Sequence, residues 1–346
     1  MNDRVNGLEG MRGLAAFWVY THHFLLIFYP VFYLGQHTWV NHIFNSDLAV
    51  SWFFVHSGFV LAWKGRNLSS PDYKMNLIDQ SLRRYLRLLP PVLVSILATY
   101  FVMIFQLNFN HQYGTLLGSK WLSQYLQFEP NILEALKQSF FSLYFDFKSS
   151  TTYNPSLWTI GYELISSYLL FLSLALFGWW KKSLWPFLLL TLIVSPWKGM
   201  MCFMLGAFLT RLPEHKVHPF FIGLITFCGF FLSDLDGSYR SYARCLGAGL
   251  LMYALLHAPK IRSILARKYF HRLGEISYSL YAFHFLVLAS LTSYLGYIWN
   301  AHLDFKLIIA VYLISTLCLF FISYLSWKWV DGPGIVLAKK FSRYFL

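Results

Sequence analysis

The sequence predicts an all-α polytopic membrane protein, and three observations point there. Of 346 residues, 57% are hydrophobic and 20% aromatic, while only 12% are charged, about half the share typical of a soluble domain. The mean hydropathy is +0.49. Apolar runs near the length of a spanning helix, roughly 20 residues, recur along the chain and leave no soluble stretch long enough for a separate core. One integral membrane domain over residues 1–346, with no appended soluble domain, is therefore expected.

Ten spans are read, near 14–34, 47–64, 88–108, 157–178, 184–197, 199–213, 219–235, 241–257, 275–298 and 306–327. The fifth and sixth are short and separated only by "SPWKG", the pattern of a tight hairpin or of broken helices. No small-residue cleavage site follows the first apolar run, so it reads as a retained helix. Cytoplasmic loops carry an excess of Lys and Arg. With the N-terminus inside, Lys120, Lys137, Lys148, Lys198, Arg240, Arg244 and Lys306 fall outside, and the other 21 of the 28 basic residues fall inside. Both termini are accordingly placed in the cytoplasm. The longest connection, 109–156 between the third and fourth spans, becomes extracytoplasmic. Its segment "NILEALKQSFFSLYFDF" (131–147) is too short and charged to span comfortably and reads as interfacial or re-entrant.

Composition also excludes. The net charge of +13 sits in short loops between apolar runs, which suits a lipid surface and argues against nucleic acid. Cys202, Cys228, Cys245 and Cys318 lie in apolar segments without metal-ligand spacing, so they read as small buried side chains and no metal site is expected.

Ionisable residues inside hydrocarbon are functional candidates by default. Here they are His22, His23, His56, Glu163 and His284. Each has a plainer alternative, a hydrogen bond that fixes helix packing. One pair is singled out by spacing. Arg12 and His23 are eleven residues apart, about three helical turns, so they share a face with roughly 16 Å of rise between them. His22 points about 100° away. A stripe with arginine at the cytoplasmic edge and histidine near mid-membrane suits a long ligand that is anionic at one end and reactive at the other. Coenzyme A thioesters have that form. Arginine suits the phosphates, and neutral histidine suits proton removal from a hydroxyl.

Three further stretches complete the candidate set. In "SLRRYLRLLPP" (81–91), Arg84 and Arg87 lie one turn apart on one face, either a positive-inside anchor or a phosphate clamp. "NPSLWTIGYELISSY" (154–168) carries Glu163 roughly 9 Å into the fourth span, and "GEISYSLYAFHFLV" (274–287) carries His284 roughly 15 Å into the ninth. Both reach toward His23 from other helices. In "SWFFVHSGFVLAWK" (51–64), His56 beside Ser57-Gly58 reads as a helix-packing hydrogen bond. "DGPG" (331–334) reads as a helix stop. No internal repeat is visible, which weakens the rival reading, a transporter or channel for an anionic solute with the histidines as a proton relay.

The order of these stretches resembles the acyltransferase-3 family of integral membrane acyltransferases, over residues 6 to the end of the last span. A basic residue, ten residues and a histidine match Arg12 and His23. The arginine pair before the third helix matches Arg84 and Arg87. The "SLW…E" motif matches Ser156, Leu157, Trp158 and Glu163, and "SYxLYxxH" matches Ser277, Tyr278, Leu280, Tyr281 and His284. His56 departs from the family pattern, standing where an apolar residue is common. "DGPG" replaces a more usual Glu-Arg-Pro-like ending.

The resemblance implies an O-acetyltransferase of the bacterial inner membrane. It would move an acyl group, acetyl first among candidates, from acyl-CoA to a hydroxyl of a cell-surface or lipid-linked glycan. Arg12, Arg84 and Arg87 would bind the donor. His23 would act as general base or transient acyl carrier, two roles that sequence does not separate. Glu163 and His284 would position the acceptor or tune His23. Some family members pass the acyl group to an appended esterase-like domain. This chain is expected to complete the transfer itself or to serve a separate partner in glycan assembly or export.

Overall fold

The structure is a computed structural model and describes residues 3–32, 45–64, 70–177, 189–191, 193, 198–212, 215–235, 237 and 239–346. Among the described residues every regular element is helical. The long helices are α1 (Asp3–Phe32), α2 (Ser46–Trp63), α3 (Ser70–Ile104), α4 (Thr159–Phe177), α5 (Lys198–Leu209), α6 (Pro219–Ser233), α7 (Arg240–Leu256), α8 (Lys268–Val287), α9 (Phe305–Ser326) and α10 (Gly332–Phe345). Among the described residues four helical stretches are long and apolar enough to cross a bilayer: Asp72–Ile104, Pro155–Leu176, Lys268–Ile298 and Phe305–Phe345. Gly199–Leu209 and Pro219–Ser233 are apolar but shorter. The apolar character of α1 and α2 is diluted by polar residues, His22 and His23 in one and Asp47 and His56 in the other. Most of the predicted fifth span, with Lys181 and Lys182, lies outside the described residues.

Helices α1 and α8 pack along each other at the centre of the bundle. Helix α2 packs on α1, α5 and α7, and α3 on α4, α8 and α10. Lipid tails are as apolar as leucine, so close packing has to supply the cohesion. Glycines make it close here. A Cβ on Gly13 would collide with the Leu273 backbone, and one on Gly274 with the Glu9 carbonyl. The α1 and α8 backbones therefore touch, and Arg12 is delivered to the end of α8. The same device joins α2 to α5 on either side of His56, where Gly58 rests on Phe203 and Gly206 on Val55.

Two local expectations change. Helix α3 begins at Ser70 and runs unbroken through Pro90 and Pro91, so Arg84 and Arg87 sit inside a helix rather than ahead of it. Each proline removes one ladder hydrogen bond, but tertiary packing holds the helix together. A Cβ on Gly334 of α10 would lie 2.8 Å from the Pro90 ring. "DGPG" likewise does not stop the chain's helical course. A π turn, Trp327–Asp331, leads straight into α10. Pro333 falls just after that π turn, within the continuous helical course, where it removes one ladder hydrogen bond.

The long connection folds back over the bundle as short helical turns, Asn110–Leu117, Lys120–Ser123 and Ile132–Lys137 with a π turn at Gln138–Ser142. Tyr85 of α3 donates to the Phe140 carbonyl at 2.7 Å, and Ser119 donates to the Leu26 carbonyl of α1 at 3.4 Å.

Candidate functional site

The sequence candidates assemble into two adjoining groups. The first is a histidine pair. His23 Nδ1 lies 2.9 Å from His284 Nε2, with the rings 16° from parallel and 5.1 Å apart. His284 Nδ1 is 2.6 Å from the Tyr281 carbonyl, which can only accept. That bond assigns the proton to His284 Nδ1 and leaves Nε2 as acceptor. His23 then donates through Nδ1–H, and its own Nε2 carries the lone pair. Ser156 Oγ stands 3.1 Å from the same His284 Nε2. That nitrogen has one lone pair, so His23 and Ser156 compete for it.

Neighbouring elements fix this arrangement. Asn154 caps the short 3₁₀ turn Pro155–Trp158 through the Ser156 N–H. Its amide also donates to Ser95 Oγ at 2.9 Å and to the Ala282 carbonyl at 2.8 Å, tying the turn to α3 and α8. The Trp121 ring, from the long connection, stacks on His23 at 5.1 Å and 26°. The His22 ring meets His23 edge-on at 5.9 Å.

The second group lines a cavity of about 220 Å³ between α1, α2, α3, α4 and α8. Arg12, Lys64, Arg84 and Arg87 border it, with Glu9 and Glu163. Four cations against two carboxylates leave a formal excess of two positive charges. The lining runs along α2 from Lys64 to Val50, a rise of about 21 Å at 1.5 Å per residue. The far part is lined by Val50, Phe53, Phe54, Thr159 and Tyr281.

Arg12 donates through Nε to Ser277 Oγ at 2.8 Å and through Nη2 to the Gly274 carbonyl at 2.7 Å, and pairs with Glu9 at 3.0 Å. Arg84 donates to Ser167 Oγ at 2.8 Å and to Glu163 Oε1 at 2.7 Å. Arg87 has no hydrogen bond or ion pair among the described residues.

The Arg12–His23 stripe therefore serves differently from the sequence expectation. Arg12 lines the cavity and His23 does not. Both ends of the stripe face α8, at Ser277 and at His284, and Ala16 and Val19 between them are buried. A shared helix face is equally a packing seam. Glu163 meets Arg84 rather than His23. Tyr281 joins the two groups. Its side chain lines the cavity, its hydroxyl meets Thr159 Oγ1 at 2.9 Å and donates to the Ser156 carbonyl, and its carbonyl holds His284.

Sequence reasoning left out Glu9, Lys64 and His56 as cavity residues. For Glu9 a signal existed, its i,i+3 spacing to Arg12. For His56 there was none beyond its depth in hydrocarbon.

A second cavity, of about 370 Å³, lies between the starts of α2, α4 and α7 and helix α5. It is lined by Asp47, Ser51, Trp158, Tyr162, Arg240 and Arg244, among others. Val50 and Phe54 border both cavities.

Fold and site together define an integral membrane protein with an internal, cation-lined cavity beside an interhelical histidine pair. The family model for the acyltransferase domain of the acyltransferase-3 family matches residues 5–327. The chain belongs to that family, which makes it a membrane acyltransferase. Comparison with curated proteins and with solved structures yields no match.

Proposed function

We propose that this protein transfers an acyl group, acetyl in the first instance, from acyl-CoA to a hydroxyl of a cell-surface or lipid-linked glycan. One observation carries the reading. The cavity is long, cationic at one end and apolar at the other, and its apolar end stops at Tyr281 beside His284 and His23. An extended thioester with a phosphorylated head fits that gradient. The phosphates sit among Arg12, Lys64, Arg84 and Arg87, and the acyl end lies near Thr159 and Tyr281.

Within this reading, His23 is the general base. Its Nε2 lone pair takes the proton of the attacking hydroxyl as the hydroxyl oxygen bonds to the thioester carbonyl carbon. Coenzyme A thiolate leaves and is protonated. His284 is a positioning residue that holds the required His23 tautomer, much as a buried partner orients a catalytic imidazole elsewhere. The second cavity supports an acceptor approach from the opposite side. Trp158 and Tyr162 offer aromatic faces for sugar C–H groups, with Asp47, Ser51 and Arg240 as hydrogen-bonding partners. Val50 and Phe54 border both cavities there. The ten-span frame, cytoplasmic termini and placement in a bacterial inner membrane are part of the proposal, supported by the distribution of basic residues. Glycan assembly or export machinery is the proposed partner.

The test is transfer of label. Proteoliposomes given acetyl-CoA labelled in the acetyl group should yield labelled glycan by mass spectrometry. Solute flux with no covalent label in any glycan would instead favour transport.

A further inference from the structure

The polar groups of the first cavity divide according to whether the protein already satisfies them. Arg12 is held by Ser277, Gly274 and Glu9, and Arg84 by Ser167 and Glu163. Each guanidinium spends its Nε and Nη2 on protein partners. Arg87 is not engaged in this way. Neither is His56. That side chain is 2% exposed, borders the cavity, and its Nε2 is buried without a hydrogen-bond partner. Buried polar atoms are paired in the great majority of cases, and an orphan calls for a partner from outside the chain. Gly58 against Phe203 and Gly206 against Val55 lock α2 to α5 just beside His56.

We infer that His56 is a ligand-binding residue. Together with Arg87 it forms the part of the cavity that contacts the anionic, phosphate-bearing ligand directly, and Arg12 and Arg84 are positioning residues. The inference rests on the reading that the cavity takes the acyl-CoA donor. It refines that reading, because three arginines with similar sequence credentials acquire unequal roles and a histidine outside the family pattern joins the site. The ligand's phosphate oxygens supply what the protein withholds. One accepts from the His56 ring N–H and others pair with the free Arg87 fork. No bond is made or broken at His56. Its effect is on donor affinity.

Calorimetric titration of coenzyme A into the purified full-length protein tests this. His56→Leu is expected to weaken binding about tenfold or more, the effect of one hydrogen bond to a charged group. His56→Gln should recover part of it, because an amide N–H can donate from a similar position. If the leucine variant does not purify as a folded species, the glutamine and alanine variants carry the comparison. Arg87→Ala should weaken binding similarly. The double variant should lose less than the product of the two single losses, since both side chains act on one ligand. A folded His56→Leu protein that binds coenzyme A as tightly as wild type overturns the role of His56 and leaves the donor reading standing. If the wild type binds no coenzyme A, the donor reading falls instead. Inorganic pyrophosphate then decides the subsite. Binding that weakens in His56→Leu supports it, and binding that is absent or unchanged overturns it.

Discussion

The histidine pair and the cation cavity adjoin through Tyr281, yet they are built on opposite principles. At the pair, the ring contacts close on one another. His284 is held by a backbone carbonyl, His23 by His284, and Trp121 covers the outer ring face. Around the cavity, Arg12 and Arg84 are hydrogen-bonded by the protein, while Arg87 and the His56 Nε2 have no hydrogen-bond partner among the described residues. The first region is finished without a ligand, as a group that must present one lone pair in one direction should be. The second is incomplete, as a group that must take up and release a charged molecule should be. A site that satisfied all its own cations would have little left to offer a phosphate.

Substitutions test this contrast. The largest effect is expected at the finished region. His23→Ala should lower acyl transfer by roughly 10²–10⁴-fold, the usual worth of a positioned base, with membrane insertion and melting temperature kept. Full activity of that variant in the labelled acetyl-CoA assay would remove the central role given to the pair.

His284→Ala should cost less, roughly ten- to a hundredfold, the loss of one orienting hydrogen bond. The signature is a fall in kcat with donor KM unchanged. A rise in KM alone would move His284 to the binding side of the comparison.

Arg84 and Arg87 should separate by type of effect. Arg84→Ala leaves Glu163 without its partner and should lower stability by roughly 2–4 kcal/mol, since removing one member of a buried pair strands the other. Arg87→Ala should lower the melting temperature less than Arg84→Ala does and raise the donor KM about tenfold. Equal melting curves for the two variants would erase the distinction between tied and free cations.

The smallest effect is expected at the wall between the cavities. Val50→Ala should alter acceptor KM only a fewfold and leave donor KM as it is. A change confined to the donor would argue against acceptor approach from the second cavity.

Much of this arrangement was legible in the chain itself. The helical class follows from composition, because hydrocarbon tolerates only backbones that satisfy their own hydrogen bonds. His23 and His284 stood out because an imidazole in an apolar run has to be explained. The "DGPG" and Pro90-Pro91 expectations failed for one shared reason. Both are sound local rules for a helix end, and in this bundle the prolines are carried within longer helices, Pro90 against Gly334 and Pro333 just after a π turn. The stripe from Arg12 to His23 was read correctly as a shared face. Periodicity tells which residues look the same way, and it is silent on whether they look at a cavity or at another helix.

Residue order alone makes the chain helical and apolar and marks the few polar residues that hydrocarbon makes expensive. How those residues are paired depends on the three-dimensional packing. Arg12 went to Gly274 and Ser277, Arg84 to Glu163, and His23 to His284, while Arg87 and His56 were left facing the cavity. The reason is physical. Burial of an apolar run depends on its own residues, whereas the satisfaction of a polar group depends on which other helix passes within about 3 Å. That is settled by glycine contacts and helix crossings spread across the whole chain.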